Sequence, residues 1–131
     1  MLIYKWFSGE DHIEDCKALR REVFVREQGV SPAEEEDGCD AQAMHLALYL
    51  NGELAATARL FSQTWLVGRV AVANGERGTG LGRKLMEEVF CYALVHGAAC
   101  MHVHAQRQAV PFYEALGFVS EGEPFSEAGI E

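Results

Sequence analysis

The sequence predicts a mixed α/β fold in which helices cover the faces of a β-sheet. Strand-like and helix-like stretches alternate along the 131 residues in the order β-α-β-β-β-α-β-α-β. An Asn51-Gly52 pair between strand-like residues 45–50 and 53–61 is a strong signal for a hairpin with a type I′ turn. A Gly-rich turn over residues 77–82 leads from a short apolar strand directly into an amphipathic helix.

The stretch before the hairpin predicts one strand and one helix. Residues 1–7 are rich in β-forming side chains and predict the first strand. Apolar residues recur at helical spacing over residues 11–28, and Gly29 ends the run, so a helix is expected there. Residues 31–40 carry an acidic run that we interpret as a solvated surface loop.

The C-terminal half predicts two strands, two helices and the start of a further strand. Residues 66–73 form the strand before the Gly-rich turn, and residues 81–96 form the amphipathic helix after it. Residues 98–105 predict a short strand, which should lie parallel to the strand before the turn because a helix connects them. A short helix over residues 108–116 precedes a strand that starts at residues 118–119.

The length and composition of the chain limit which classes of protein it can belong to. The chain suits one domain, residues 1–131, and its 49% apolar and 24% charged residues are typical of a globular protein. A formal net charge of −9 disfavours binding to nucleic acid or to an anionic membrane by the overall field. We expect a cytoplasmic protein, because the sequence shows no signal-peptide pattern and no apolar run of membrane-spanning length. The four cysteines show no CxxC spacing and are interpreted as reduced thiols.

The Gly-rich turn has the features of an anion site. Glycines let a ligand approach the backbone, N–H groups at a helix start point outward, and the helix dipole adds partial positive charge. Arg77, Arg83 and Lys84 cluster at this turn in an otherwise acidic chain. Positive side chains in the first turn oppose the helix dipole, so Arg83 and Lys84 favour a bound anion; an exposed helix start is the simpler interpretation.

Two common phosphate-binding patterns do not fit this turn. A P-loop needs Gly-Lys followed by Ser or Thr, whereas Arg83, Lys84 and Leu85 follow the last glycine. A dinucleotide-binding turn follows the first strand of a βαβ unit, and an acidic residue ends the next strand. Here the glycines fall late in the chain, and the next strand ends in Ala105-Gln106. The turn therefore gives only weak support to a nucleotide-binding protein of another fold, which we keep as an alternative.

The turn resembles the Arg-x-x-Gly-x-Gly motif with which the GNAT superfamily of N-acetyltransferases binds acyl-CoA. Three further stretches agree with this resemblance. Residues 68–72 are similar to the family's central strand, and residues 105–118 resemble its second motif, FYExxGF. Residues 20–28 resemble the first helix of a subgroup of small bacterial acetyltransferases. The resemblance covers roughly residues 1–128 and implies a GNAT-like fold with a splayed pair of parallel strands.

The resemblance implies acetyl-CoA as the cosubstrate and no metal. The pantetheine arm would pair with the backbone of Val70, Ala71 and Val72 as an added strand does, although a plain buried strand explains these residues too. The pyrophosphate would lie on the backbone N–H groups of the turn. The expected cofactor contacts are Val70, Ala71, Val72, Arg77, Gly78, Thr79, Gly80, Leu81, Gly82, Arg83, Gln106 and Phe112.

Tyr113 matches the tyrosine of FYExxGF, and the resemblance implies that it is the general acid. A phenol with a pKa of about 10 can protonate a thiolate of similar basicity. A core aromatic, as we interpret Phe112, is the structural alternative. The backbone N–H of Val72 is a candidate donor to the oxyanion. The sequence identifies no general base; Glu27, the acidic loop and His45 are candidates, and ordered water can also carry the proton.

The acceptor side is expected to include Glu27, Arg59 and Arg69. The two arginines fall on neighbouring strands beside the presumed cleft and would suit an acceptor with a carboxylate or phosphate. His102 and His104 alternate to one face of a strand, but no third ligand has suitable spacing. We therefore interpret both as sheet or surface residues.

We expect an N-acetyltransferase that moves the acetyl group of acetyl-CoA to a primary amine of a small acceptor by direct attack in a ternary complex. A non-catalytic acyl-CoA sensor on the same fold is the alternative. The expected partners are acetyl-CoA and the amine, without nucleic acid or membrane, and a homodimer stays open. The family's sheet usually ends with a strand after a segment like residues 127–130. We expect that strand to be absent, very short or supplied by another chain.

Overall fold

A computed structural model describes residues 1–9, 13–35, 38–104 and 107–119. Its strands are β1 Leu2–Ser8, β2 Met44–Leu50, β3 Glu53–Phe61, β4 Leu66–Val72 and β5 His102–Val103. They form a five-stranded sheet in the order β1-β2-β3-β4-β5. The first four strands pair antiparallel, and β5 pairs parallel with β4.

The helices are α1 Glu14–Arg20, α2 Pro32–Glu35, α3 Leu81–Val95 and α4 Val110–Ala115. A π-helical segment, Arg21–Glu27, continues α1, and the N–H of Gln28 reaches back five residues to the carbonyl of Val23 at 3.2 Å. In the described ranges, no helix is both long enough and apolar enough to span a bilayer. Short 3-10 turns cover Asp40–Gln42, Asn74–Glu76 and Arg107–Ala109.

The predicted fold class is confirmed, together with two of its details. The hairpin turns at Asn51 and Gly52 with φ of 51° and 88°, the positive values that a type I′ turn requires. The connection through α3 places β5 parallel to β4, with Leu66 opposite His102. Within the described residues, β4 and β5 pair only here and between Val67 and Val103.

Three sequence expectations differ from the structure. The acidic stretch is not a solvated loop, because it contains α2, and Glu35 there is only 1% exposed. Of the strand predicted over residues 98–105, the described residues form only His102–Val103, the two residues that pair with β4. Phe118 and Val119 lie outside any strand. The rest of the tail falls beyond the described residues.

Helices cover both faces of the sheet. Leu46 and Leu48 of β2 point into a core beneath α3, whereas Ala47 between them packs with Ile13 and Cys16 on the α1 side. Successive strand residues point to opposite faces, so α1 and α3 lie on opposite sides. The buried residues that α3 adds to its core are Leu81, Leu85, Met86 and Val89.

A β-bulge interrupts β4. Arg69 and Val70 together oppose one residue of β3, Ala58, and Arg69 takes a φ of 48°, in the left-handed region that favours glycine. The extra residue reverses the alternation of side chains. Val67 before the bulge and Val70 and Val72 after it therefore pack against the same core under α3. The guanidinium of Arg69 instead donates a hydrogen bond to a carbonyl of α2.

Candidate functional site

The Gly-rich turn exposes its backbone at the start of α3. Gly78 and Gly80 have φ of 80° and 85°, and Gly80 directly precedes the helix. A Cβ at either glycine would meet no atom within 4 Å, so backbone conformation requires glycine here and space above the backbone is open. Thr79 Oγ1 donates to the carbonyl of Glu76 at 2.5 Å, which folds this side chain back onto the preceding turn. The first N–H groups of a helix have no partner within it and suit an anion.

Gly82 marks the point where three elements converge. A Cβ at this residue would lie 3.4 Å from Cζ of Phe112 in α4 and 3.7 Å from Cγ2 of Val72 at the end of β4. Phe112 in turn packs edge-on against Tyr113, with ring centroids 5.0 Å apart. The Gly-rich turn, the strand end and the FYE stretch, which the sequence predicted separately, therefore lie next to one another in the structure.

The positive side chains at the turn differ in their surroundings. Arg83 and Lys84 are exposed in the first turn of α3. The guanidinium of Arg77 instead lies against protein groups: Nε donates to the carbonyl of Val72 at 3.1 Å, and Nη1 lies 2.6 Å from Oε1 of Glu27. Gln106, also predicted to contact the cofactor, lies outside the described residues.

The end of β4 directs a backbone donor toward the open edge of the strand. The N–H of Ala73 bonds to the carbonyl of Ala55 in β3 at 2.8 Å. Since successive N–H groups of a strand alternate in direction, the N–H of Val72 points away from β3. On this side of β4, the described residues pair with β5 only at Leu66 and Val67. An extended ligand along this edge would meet the Val72 N–H.

Tyr113 is buried at 8% exposure beside this convergence. Its ring also packs edge-on against Phe118, with centroids 5.7 Å apart. Burial raises the pKa of Tyr113 to about 12, above the value of about 10 expected from the sequence. The phenol is therefore neutral at every ordinary pH, and it is a weaker acid than a free phenol.

A buried ion cluster lies on the α1 face of the sheet. Nε of Arg20 lies 2.6 Å from Oε1 of Glu35, and both side chains are only 1% exposed. Nη1 of the same arginine lies 2.9 Å from Oδ1 of Asp40, which also accepts a hydrogen bond from Arg59 at 3.2 Å. Desolvation would raise the pKa of Asp40, but hydrogen bonds and charges from Arg20 and Arg59 outweigh it and lower the pKa.

The two arginines predicted for the acceptor side both belong to this cluster. Arg59 is 6% exposed and stacks over the ring of Phe61, with the guanidinium carbon 4.8 Å from the ring centroid. Arg69 is 24% exposed and donates from Nη2 to the carbonyl of Glu35 at 3.3 Å. The cluster therefore ties β3 and β4 to the segment that follows the π-helix.

Sequence reasoning missed Arg20, Glu35 and Asp40 as members of one cluster. A signal for Arg20 was present, because it continues the apolar stripe of Ile13 and Cys16 at helical spacing. A charged residue on a buried helix face needs an acidic partner. The sequence does not say which residue of the acidic run supplies that partner, since this depends on how the run folds back.

His45 is 1% exposed beside this cluster, with Nε2 3.1 Å from the carbonyl oxygen of Asp40. Burial lowers the pKa of His45 below its ordinary value, so the folded protein holds a neutral imidazole. The unfolded chain takes up the proton near pH 6.5, earlier than the folded chain does. Folding stability is therefore fully present above that pH and is lost as the pH falls toward the folded pKa.

This histidine predicts a specific pH dependence of stability. Between pH 7.5 and 5.5 we expect the free energy of unfolding to fall by up to about 1.4 kcal/mol because of His45. Urea denaturation of the wild type and His45→Gln would show this as a steeper loss in the wild type. His102→Gln, which changes an exposed histidine, should keep the wild-type slope. Equal slopes in the wild type and His45→Gln would contradict the prediction.

The described residues contain no group of three His, Cys, Asp or Glu side chains that could hold a metal ion. The histidines at 102 and 104 are exposed, and Nε2 of His102 lies 3.7 Å from Sγ of Cys100. None of the four cysteines forms a disulfide, and Cys16 is buried.

The comparisons with known proteins agree on one family. The sequence profile of the acetyltransferase (GNAT) domain matches residues 10–131. The chain is 35% identical over 128 residues to the Bacillus subtilis protein named uncharacterized N-acetyltransferase YjcF. The alignment covers 94% of this chain and 90% of that protein. It is 32% identical over 120 residues to the protein ElaA of Escherichia coli, over 86% of this chain and 78% of that one.

Solved structures agree with the sequence matches. The crystal structure of Escherichia coli ElaA superposes with a TM-score of 0.86 at 27% identity, over 99% of this chain and 95% of that one. The crystal structure of an acyl-CoA N-acyltransferase from Pseudomonas aeruginosa gives a TM-score of 0.85 at 30% identity, again over 99% and 95%.

Proposed function

This chain belongs to the GNAT acetyltransferase family, and we propose that it transfers the acetyl group of acetyl-CoA to a primary amine of a small acceptor. The observation that carries the proposal is the convergence at Gly82, where a Cβ added at the start of α3 would be in van der Waals contact with Phe112 and with Val72 at the end of β4. One ligand with a pyrophosphate and an extended amide arm needs a helix start and a strand edge side by side.

The proposed binding mode uses the backbone more than side chains. The N–H groups of residues 78–82 hold the pyrophosphate, and the exposed Arg83 adds positive charge beside them. The pantetheine arm extends along the open edge of β4 over residues 70–72, where its amides pair as those of an added strand do. The thioester then reaches the end of β4, within range of the Val72 N–H.

The proposed reaction is direct attack in a ternary complex. The amine nitrogen attacks the thioester carbon, and the carbonyl oxygen becomes an oxyanion that the Val72 N–H stabilises. The C–S bond then breaks, the nitrogen gives its proton to water, and the sulfur leaves as a thiolate, which takes a proton from water to become the CoA thiol. Because the pKa of Tyr113 is raised to about 12, its hydroxyl acts as a neutral hydrogen-bond donor while charge builds on the sulfur.

We propose that Glu27 and Arg69 contact the acceptor and that Arg59 acts on it indirectly. Arg69 is the better placed of the two arginines to contact an acceptor, because its side chain is 24% exposed whereas that of Arg59 is 6% exposed. Arg59 lies against Asp40, so it acts on an acceptor through the charge balance of the ion cluster.

Thiol release from acetyl-CoA tests the activity. A mixture of small primary amines, amino sugars and peptides is incubated with the protein, and the free thiol is measured against a no-amine control. We expect thiol release that depends on the amine and yields the N-acetylated product. Release at the same rate without any amine would contradict the proposal.

A non-catalytic acyl-CoA sensor is the second candidate function. The raised pKa of Tyr113 favours it, because burial makes the phenol a weaker acid for a leaving thiolate. A sensor would bind acetyl-CoA and release no thiol with any amine in the mixture.

A further inference from the structure

Glu27, the last residue of the π-helical segment, is joined to the Gly-rich turn by an ion pair. Its Oε1 lies 2.6 Å from Nη1 of Arg77, and the two side chains are 28% and 41% exposed. The same guanidinium donates to the carbonyl of Val72 at 3.1 Å and to Oδ1 of Asn74 at 3.3 Å. One guanidinium group therefore separates the Glu27 carboxylate from the end of β4.

The position of Glu27 is electrostatically unfavourable without Arg77. A carboxylate at the C-terminal end of a helical segment meets the negative end of the helix dipole. Arg77 supplies the compensating charge. Exposed ion pairs of this kind are weak, and a pyrophosphate carries more negative charge than one carboxylate. A ligand that brings a pyrophosphate to the turn can therefore displace Glu27 as the partner of the Arg77 guanidinium.

We propose that Glu27 and the pyrophosphate of CoA compete for Arg77, so that cofactor binding releases the Glu27 carboxylate beside the acyl group. This inference rests on the proposed function. Once released, Glu27 and the negative helix end form an acidic spot at the end of β4. Such a spot suits an acceptor that approaches as an ammonium cation and then loses a proton. The carboxylate of Glu27 thus loses its partner Arg77, and becomes available to the acceptor, only after the cofactor is in place.

Calorimetric titration with CoA tests the competition. Glu27→Gln removes the internal competitor, so we expect this variant to bind CoA about two- to fivefold more tightly than the wild type. If Glu27 merely stabilised the turn, the same substitution would weaken CoA binding. The direction of the change therefore separates the two roles. Combining Glu27→Gln with Arg77→Gln should abolish the gain, because no guanidinium is left to compete for.

Glu22→Gln is a matched control on the same helical segment. Glu22 pairs with Arg26 at 2.9 Å, away from the turn. Each variant removes one negative charge from a chain of net charge −9, so a general attraction for anionic CoA would change equally in both. We expect Glu22→Gln to bind CoA as the wild type does. Tighter binding in both variants, or unchanged or weaker binding in Glu27→Gln, would overturn the inference.

The thiol-release assay gives a second readout. Glu27→Gln should raise the KM for an active amine while it lowers the dissociation constant for CoA, a split that loosening of the turn would not produce. If the wild type itself fails to bind CoA, the proposed function fails, and this inference with it. A different outcome is a wild type that binds CoA and a Glu27→Gln variant with no higher affinity for CoA. That outcome overturns this inference and leaves the proposed function standing.

Discussion

Replacing Tyr113 by phenylalanine is expected to lower kcat for amine-dependent thiol release about 100- to 1,000-fold, with acetyl-CoA affinity nearly unchanged. Loss of one hydrogen-bond donor to charge that develops in the transition state typically costs about 10²- to 10³-fold in kcat. The substitution removes one hydroxyl and keeps the ring that packs against Phe112 and Phe118. Steady-state rates and acetyl-CoA titrations on the same preparations check both parts.

Tyr92→Phe is the matched control for this prediction. Tyr92 lies in α3, where its ring stacks between Trp6 and His96 with centroid distances of 4.2 and 4.1 Å. Loss of its hydroxyl should leave kcat at the wild-type value. The pKa of Tyr113 adds a further expectation: a group raised to about 12 causes no decline of kcat below about pH 10. An unchanged kcat in Tyr113→Phe would exclude this hydroxyl from the reaction.

Replacing Arg20 by methionine is expected to destabilise the fold by about 3–5 kcal/mol, the cost of leaving buried charges without their partner. Arg20 contacts both Glu35 and Asp40 from a side chain that is 1% exposed, and methionine supplies similar bulk without a donor. For a chain of this size, the melting temperature should fall on the order of 10 °C. Urea and thermal denaturation measure the loss.

Arg26→Met provides the comparison on the same helical segment. Arg26 is 76% exposed and pairs with Glu22, so its removal should change the free energy of unfolding by less than about 0.5 kcal/mol. Equal effects in the two variants would mean that the buried cluster does not hold α1 to the sheet. Because Asp40 has a lowered pKa, its share of the wild-type stability is present above about pH 4 and is lost as the pH falls through the folded value.

The parts of the fold that could be predicted are those specified by local chemistry. Asn51-Gly52 requires positive φ values that only one class of hairpin turn uses, and the structure has them. Leu46 and Leu48 alternate with Ala47 along β2, so their side chains lie on opposite faces of the sheet. This assignment does not depend on which helix packs on each face. Glycine spacing at the turn and the later FYE stretch likewise predicted two segments that lie side by side in the structure.

The parts that could not be predicted depend on contacts distant in sequence. The bulge at Arg69 carries no glycine, so its left-handed φ has no local signal, yet it decides which face each residue of β4 covers. Burial of Glu35 follows from its pairing with Arg20 fifteen residues earlier. The contact of Arg77 with Glu27 joins residues predicted for opposite sides of the site. Such contacts follow from the tertiary fold, and periodicity cannot reveal them.

Calorimetric titration of acetyl-CoA into the wild type, Gly80→Ala and Gly75→Ala tests most directly whether the Gly-rich turn holds the cofactor. Alanine is disfavoured at the φ of 85° that Gly80 adopts, and a shifted backbone would misdirect the N–H groups at the helix start. Gly75 lies nearby in the 3-10 turn outside the left-handed region. We predict binding of one acetyl-CoA per chain, about tenfold weaker in Gly80→Ala and unchanged in Gly75→Ala. Undiminished affinity in Gly80→Ala, or equal affinity of the wild type for ATP or NAD, would contradict the account.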